Sequence, residues 1–200
     1  MTVAEWPVEL RGVTESVVTT EGPNGRWNVA ALGLHAPDSG NADSEGAGSF
    51  VRARTWGRTR TWRNFRARGE GYVQFTRDPV DFVEAALAVR EEDDPLLDGL
   101  DAWVRVDVTR TDDGESGGTE WVDWRLDPCE AAVERRVVPT TNRGRAAVVE
   151  ATVAASRLDV ESYDTEVLRD RLAYFGEVAQ RCGSPRERAA IERLGELVER

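Results

Sequence analysis

The chain has 200 residues, 26 basic against 37 acidic, and a formal net charge of −11; all 26 basic residues are arginine. This length is typical of a single domain whose core needs neither disulfides nor metals. The acidic surface disfavours nucleic-acid binding and predicts a protein that stays dispersed in the cytoplasm of a high-salt cell. A GC-rich genome would explain the missing lysine but not the excess of carboxylates.

Membrane insertion, export and metal binding are also disfavoured. No stretch reaches the ~18 apolar residues of a membrane-spanning helix, and the amino terminus lacks a basic segment followed by an apolar run. Cys129 and Cys182 have no CxxC or histidine partner nearby, which predicts ordinary thiols. Because His35 is the only histidine, neither a His-based triad nor a multi-His metal site is expected.

The first part of the chain is predicted to be β structure. Residues 14–20 are rich in β-branched side chains, and the turn signal Gly22-Pro23-Asn24-Gly25 separates them from a second strand over 26–34. Residues 36–49 are rich in Asp, Ser, Gly and Asn, which predicts a mobile acidic loop. A third strand is expected over 50–56.

Helices and strands are then predicted to alternate. A short helix is expected to start near Thr61 and to end at Gly69 or Gly71, before a strand over 72–76. Asp78 and Pro79 match the cap and the first residue of a second helix.

The remaining sequence predicts two more strands and a helical end. The strands, over 101–109 and 120–126, would flank a solvated hairpin end over 111–118, in a sheet of about six strands. The charge run at 91–94 is expected to be a solvated loop without a chemical role. From Asn142 onward, apolar residues recur at helical spacing, which predicts a small helical bundle packed on the sheet.

The most unusual segment is 51–68, which holds seven arginines in an otherwise acidic chain. Such a concentration of positive charge favours an anionic ligand, because close hydrogen-bonded pairing survives high salt. Arg54 on a strand, the hydroxyls of Thr59 and Thr61, and the amino end of a helix would together form a cradle for a monophosphate. The glycine pattern of a P-loop is absent, so triphosphate chemistry is not expected.

Two alternatives remain open for this segment. Thr61 could simply cap the helix while the arginines pair with surface carboxylates. The arginines, with Trp56, Trp62 and Phe65, could instead grip a nucleic-acid backbone and stack its bases, although the net charge of −11 weighs against this.

An ordered series of motifs resembles the mainly archaeal domain-of-unknown-function family 447. These motifs lie at 15–20, 28–33, 59–65, 76–79 and 142–144, so the resemblance covers nearly the whole chain. It implies an α+β fold, an antiparallel split β-barrel that binds FMN, with the barrel domain over 1–140 and a helical extension packed on it over 141–200. Thr61-Trp62-Arg63-Asn64 is similar to the turn and helix of flavin-reductase-like proteins.

The resemblance also implies roles for individual residues. The FMN phosphate would lie among Arg54, Thr59, Arg60 and Thr61, and Asn64 would brace the turn or reach the ribityl chain. The strand Asn28-Val29-Ala30 would follow the edge of the isoalloxazine ring. Asn142 and Arg143 would lie at the mouth of the helical part and reach the flavin of the partner in a homodimer. Ala31 and Gln74 depart from the family pattern, in which a proline and an asparagine are expected.

The function implied is that of an FMN-dependent oxidoreductase of unknown substrate. Since no GxGxxG unit follows a strand, a nicotinamide or other reduced carrier would have to meet the flavin directly. A flavin-binding protein without turnover and an Arg/Trp nucleic-acid module are the alternatives.

Overall fold

The computed structural model describes residues 4–37 and 50–199. The chain divides into two compact units, Met1–Phe75 with Glu91–Arg136 and Thr76–Arg90 with Val137–Arg200. Most of the predicted acidic loop, residues 38–49, lies outside the described residues. None of the described helices is long and apolar enough to cross a membrane. Within the same residues, no group of three His, Cys, Asp or Glu side chains could hold a metal ion.

A closed antiparallel barrel forms the first unit. Hydrogen-bonded neighbours follow the order β1-β4-β6-β7-β3-β2, and β1 pairs with β2 to close the ring of six strands; β5 lies outside the ring beside β2. The predicted split-barrel architecture with carboxyl-terminal helices is therefore confirmed. The strands are β1 Val13–Glu21, β2 Trp27–His35, β3 Val51–Trp56, β4 Glu70–Phe75, β5 Arg90–Glu92, β6 Ala102–Ser116 and β7 Thr119–Val133.

The barrel is filled by alternate side chains of its strands. In β3, for example, Val51, Ala53 and Thr55 are buried, while the residues between them are less so. This period of two is what a strand with one face on the core requires. Phe65, which lies outside the strands, also contributes its ring to the core. It is 1% exposed and meets the Trp124 ring edge to face, with ring centroids 5.5 Å apart.

The hairpin of β6 and β7 differs from the prediction. Both strands run for 15 residues and meet at Gly117-Gly118, so the expected loop over 111–118 was wrong. Backbone pairing continues to Ser116 opposite Thr119. The side chains near this end are mostly exposed, which removes the alternation of apolar and polar residues by which a half-buried strand is recognised.

One helix, α1 over Arg60–Arg68, belongs to the barrel unit. Thr59 caps it, because its Oγ1 accepts a hydrogen bond from the Trp62 backbone N–H at 3.2 Å. Gly69 ends it with φ of 70°, a left-handed conformation that favours glycine. The prediction of this helix is confirmed, with its first turn one residue earlier than expected.

The second unit is helical. It contains α2 Pro79–Leu87, α3 Arg143–Ala155, α4 Thr165–Cys182 and α5 Pro185–Val198. Asp78 and Pro79 occupy the predicted cap and first helical position of α2.

A single boundary at residue 140 does not separate the two units, because α2 groups with the carboxyl-terminal helices. Val83 of α2 packs in one buried cluster with Ala147 of α3 and Ala190 of α5. Arg186 of α5 adds an ion pair to Asp78 at 2.8 Å. The packing of the helical part on the barrel stays a prediction.

Candidate functional site

A cleft of about 690 Å³ opens beside α1 in the barrel unit. The turn after β1 forms one wall, and α1 forms another. The α1 residues that line it follow helical spacing and therefore share one face of the helix. The lining residues are Glu21, Gly22, Pro23, Asn24, Asn28, Arg60, Arg63, Asn64, Ala67, Arg68 and Glu91.

Two buried amides, Asn28 and Asn64, lie at the cleft, each 6% exposed. Asn64 Nδ2 donates to the backbone oxygen of Thr20 at 3.2 Å and to its Oγ1 at 3.0 Å. Asn28 Nδ2 donates to Thr61 Oγ1 at 3.4 Å. Neither Oδ1 atom accepts a hydrogen bond from a residue that the structure describes. The two amide oxygens can therefore accept hydrogen bonds from hydroxyl groups of a ligand.

The amino end of α1 supplies backbone donors. Thr59 accepts the N–H groups of Trp62, through its hydroxyl, and of Arg63, through its carbonyl. The N–H groups of Arg60 and Thr61 precede these and have no acceptor within the helix. They combine with the positive end of the helix dipole to favour an anion. The predicted residues Thr59, Arg60 and Thr61 are thus brought together at one helix end.

The arginines of α1 that line the cleft differ in their partners. Arg60 binds Glu91 at 2.6 Å, and Arg68 lies 3.6 Å from Glu21. Arg63 is exposed and makes no ion pair with any part of the chain that the structure describes. Arg63 is therefore the guanidinium most available to an anionic ligand. Arg63 belongs to the predicted motif but was not predicted to bind the phosphate, although its spacing of three from Arg60 puts both on one helix face.

Arg54 lies elsewhere and does not line the cleft. Its Nε and Nη2 donate to the two carboxylate oxygens of Asp123 at 2.6 and 2.7 Å, and its guanidinium lies 3.9 Å from the centre of the Trp121 ring. The hydrogen bond to Asp123 raises the pKa of Arg54 above its ordinary value, against the opposing effect of burial. The structure thus gives this predicted phosphate ligand a carboxylate partner of its own.

Family models match both parts of the chain. One described as the N-terminal domain of a protein of unknown function (DUF447) matches residues 14–135, and one described as a protein of unknown function (DUF447) matches residues 142–196. The chain belongs to the DUF447 family. The resemblance inferred from the motifs is thereby confirmed.

Solved structures are similar to this DUF447 chain to different degrees. An FMN-bound DUF447 protein from Methanosarcina mazei is 21% identical, covers 94% of this chain and 96% of its own, and superposes with a TM-score of 0.74. Nitrilotriacetate monooxygenase component B from Bacillus cereus is 14% identical, with coverage of 64% and 76% and a TM-score of 0.45. The flavin reductase of styrene monooxygenase from Pseudomonas putida is 12% identical, with coverage of 64% and 93% and a TM-score of 0.39.

Two predicted residues of the β2 strand lie in the barrel wall of this DUF447 protein. Val29 is 2% exposed, and Ala30 packs against the buried barrel core. Their side chains are therefore occupied by packing, and only their backbone groups could meet a ring. Asn28, the first of the predicted three, is the one whose side chain lines the cleft.

Asn142 and Arg143 belong to the helical unit of the family fold. Asn142 caps α3, since its Oδ1 accepts from Gly144 N at 2.8 Å and from Arg145 N at 3.2 Å. Its Nδ2 donates to Glu187 at 3.3 Å. Arg143 is the first residue of α3 and is exposed. A role of these two residues at a flavin stays a prediction.

A second depression, of about 480 Å³, lies on the other side of α1; we call it the tryptophan groove. Arg66 lies over the Trp62 ring at 5.4 Å, and Arg58 pairs with Glu120 at 3.0 Å. The lining residues are Gly57, Arg58, Trp62, Arg66, Arg110, Asp113, Gly114, Glu115, Glu120, Trp121 and Val122.

Carboxylate pairing accounts for much of the arginine-rich segment of this DUF447 chain. Among the described residues, at least four of its seven arginines form ion pairs at 3.6 Å or less, so the alternative in which they pair with carboxylates describes those four. The pairing also leaves fewer cations for a nucleic-acid backbone. The paired residues are Arg54, Arg58, Arg60 and Arg68.

Proposed function

We propose that this DUF447 protein binds FMN in the cleft beside α1. The observation that carries the proposal is that one concave site is lined by Arg60 at the amino end of α1, by Arg63, which has no ion pair among the described residues, and by two buried amides. The FMN-bound protein from Methanosarcina mazei, which shares the family and the fold, supports the choice of ligand. A cleft of about 690 Å³ has the size of a typical cofactor site, which is about 300–1,000 Å³.

The phosphate would lie at the amino end of α1. There the N–H groups of Arg60 and Thr61 and the hydroxyl of Thr59 can donate hydrogen bonds to phosphate oxygens. Arg63 would add a charge-assisted hydrogen bond, and a guanidinium can donate two to one phosphate. Arg60 would also bind the phosphate once it released its present partner Glu91, which lies 2.6 Å away.

The ribityl chain would follow the two buried amides. Its hydroxyl groups can donate to the Oδ1 atoms of Asn28 and Asn64, whose Nδ2 groups already hold them in place through Thr61 and Thr20. Because these amides are fixed before a ligand arrives, little side-chain freedom would be lost on binding. The ring would lie along the β2 backbone after Asn28.

Bound flavin would supply the capacity to accept and return electrons, so an oxidoreductase is the activity we propose. The chain's own part would be to hold the ring and to leave one of its faces open to a nicotinamide or another reduced carrier. Bleaching of the bound flavin by such a carrier without oxygen would support turnover. Failure of every carrier to bleach it would favour a flavin-binding protein without a reaction.

The setting of this site is also part of the proposal. The charge of −11, which reflects the excess of carboxylates, supports a high-salt cytoplasm, where a close phosphate contact persists although long-range attraction is screened. We propose a homodimer, in which Asn142 and Arg143 of one chain approach the flavin of the other. Sedimentation in molar salt, with and without FMN, would measure the assembly.

The experiment that tests the cofactor compares FMN with riboflavin, which lacks the phosphate. The protein is purified in molar salt, stripped of flavin and titrated with each ligand by the quenching of flavin fluorescence. We expect one FMN per chain and a riboflavin affinity lower by at least about tenfold to a hundredfold, the effect of losing one charge-assisted hydrogen bond. Equal affinity for both ligands would contradict the phosphate site.

Failure to bind FMN at any salt concentration would reject the proposed function itself. In that case, binding of an oligonucleotide that weakens steeply with salt would favour the nucleic-acid alternative.

A further inference from the structure

The cleft contains a carboxylate that faces the proposed phosphate site. Glu91 lies in β5, within the charge run that was predicted to have no chemical role. Its Oε1 accepts a hydrogen bond from Arg60 Nη1 at 2.6 Å, and its Oε2 accepts one from Asn24 Nδ2 at 3.2 Å. Its backbone oxygen accepts from Arg26 Nη2 at 3.1 Å. Three different side chains therefore hold Glu91 at the edge of the cleft.

This arrangement makes Glu91 a neighbour of any anion that binds at α1. The side chain of Glu91 is 25% exposed and that of Arg60 is 43% exposed, so water screens the pair only in part. A phosphate placed on Arg60 would either displace the carboxylate or lie beside it. If the phosphate displaces the Glu91 carboxylate, the ion pair with Arg60 is lost. If the two anions lie side by side, their negative charges repel each other. Both routes lower the affinity for an anion.

We propose that Glu91 is a specificity-determining residue that occupies Arg60 as an internal competitor until a dianionic phosphate displaces it. The inference rests on the proposed binding of FMN in this cleft. A phosphate carries about two charges and offers several oxygens to a guanidinium, so it can replace a single carboxylate. Chloride carries one charge and has no pair of oxygens to match the guanidinium fork. Glu91 therefore keeps chloride from Arg60 and selects for the phosphate.

The variant Glu91→Gln removes the charge and keeps the shape and one hydrogen-bond acceptor. FMN affinity is measured by fluorescence quenching at low and at molar chloride, with wild type and variant side by side. We expect the variant to bind FMN about threefold to tenfold more tightly at low chloride, as expected for loss of a partly screened competing charge. We also expect chloride to weaken FMN binding more steeply in the variant, because Arg60 is then open to it.

A matched control is Glu120→Gln, which breaks the exposed pair with Arg58 on the tryptophan groove and leaves the cleft intact. This control should bind FMN as wild type does. A double-mutant cycle with Arg60→Ala isolates the pair, since the effect of Glu91→Gln should vanish when Arg60 is absent. Denaturation midpoints of all variants show whether each remains folded.

Three results would overturn the inference while the proposed function stands. The first is unchanged or weaker FMN binding by Glu91→Gln at low chloride. The second is that Glu91→Gln tightens FMN binding by the same factor in wild type and in Arg60→Ala. The third is that chloride weakens FMN binding equally in Glu91→Gln and in wild type. Absence of FMN binding by both wild type and Glu91→Gln would instead overturn the proposed function together with the inference.

Discussion

The two sides of α1 are built from the same short run of arginine and aromatic residues, but they differ in what they leave unsatisfied. On the cleft side, Arg63 has no ion pair among the described residues, and Asn28 and Asn64 keep free amide oxygens. On the side of the tryptophan groove, Arg58 pairs with Glu120, and Arg66 lies over Trp62. A cluster of arginines therefore indicates a ligand site only where its charges lack partners within the protein.

Burial differs between the two sides as well. Asn28 and Asn64, which line the cleft, are about as buried as core residues, and hydrogen bonds fix Asn64 to the β1 strand. The arginines do not differ in this way, since Arg58 and Arg66 on the groove side are exposed and so is Arg63 on the cleft side. Fixed polar groups lose little freedom when a ligand binds, whereas mobile surface side chains lose more. This difference is the reason to place the cofactor in the cleft.

The largest expected effect comes from removing the anchor that both sides share. Phe65 is 1% exposed and holds α1 against the barrel core, so Phe65→Ala should lower the free energy of unfolding by about 3–5 kcal/mol. Denaturation by guanidinium in molar salt measures this loss. Phe65→Leu, which keeps most of the volume, is the control and should cost less. An equal loss of unfolding free energy in Phe65→Ala and Phe65→Leu would mean that the attachment of α1 to the core does not depend on the volume of this side chain.

Comparison of Arg63→Ala with Arg66→Ala separates the two sides. Both residues are exposed arginines of α1, but only Arg63 lines the cleft. Arg63→Ala should weaken FMN binding about tenfold to a hundredfold, the effect of one hydrogen bond to a charged group. Arg66→Ala should leave it unchanged. Fluorescence titration gives both affinities, and the reverse pattern would move the ligand to the tryptophan groove.

Arg54→Ala tests whether a paired arginine can still serve a ligand. Removal of the guanidinium leaves Asp123, whose side chain is 14% exposed, without its partner. We expect a loss of about 1–2 kcal/mol in the free energy of unfolding and no change in FMN affinity. Thermal unfolding and flavin titration on one preparation measure the two effects. Loss of FMN binding with no fall in the free energy of unfolding would instead show that Arg54 is a phosphate ligand.

The smallest expected effect is that of Arg58→Ala. Its pair with Glu120 is highly exposed, with 71% and 59% of the two side chains accessible, and such pairs contribute at most about 1 kcal/mol. We expect small changes in denaturation midpoint and none in FMN affinity. A large fall in the denaturation midpoint or in FMN affinity would show that the pair of Arg58 and Glu120 does more than neutralise charge at the surface.

Local signals in the sequence were enough to predict most elements. Asp78 and Pro79 mark the start of α2, and Gly69 marks the end of α1, because caps depend on neighbouring residues alone. The grouping of α2 with the carboxyl-terminal helices was missed. It depends on contacts such as Arg186 with Asp78, more than 100 residues apart in the chain.

The candidate site was predicted in part for the same reason. Thr59, Arg60, Thr61 and Asn64 follow from one local motif, whereas the roles of Glu91 and Arg54 depend on their partners. An arginine looks the same in a sequence whether it faces a ligand or a carboxylate. Only the fold brings Asp123 to Arg54 and Glu91 to Arg60.

The most direct test of the central claim is a crystal structure of the protein soaked with FMN in molar salt. The account predicts flavin density in the cleft, with the phosphate at the amino end of α1 within hydrogen-bond distance of Arg63. Flavin stacked on Trp62 and Trp121 in the tryptophan groove, with the cleft empty, would contradict it.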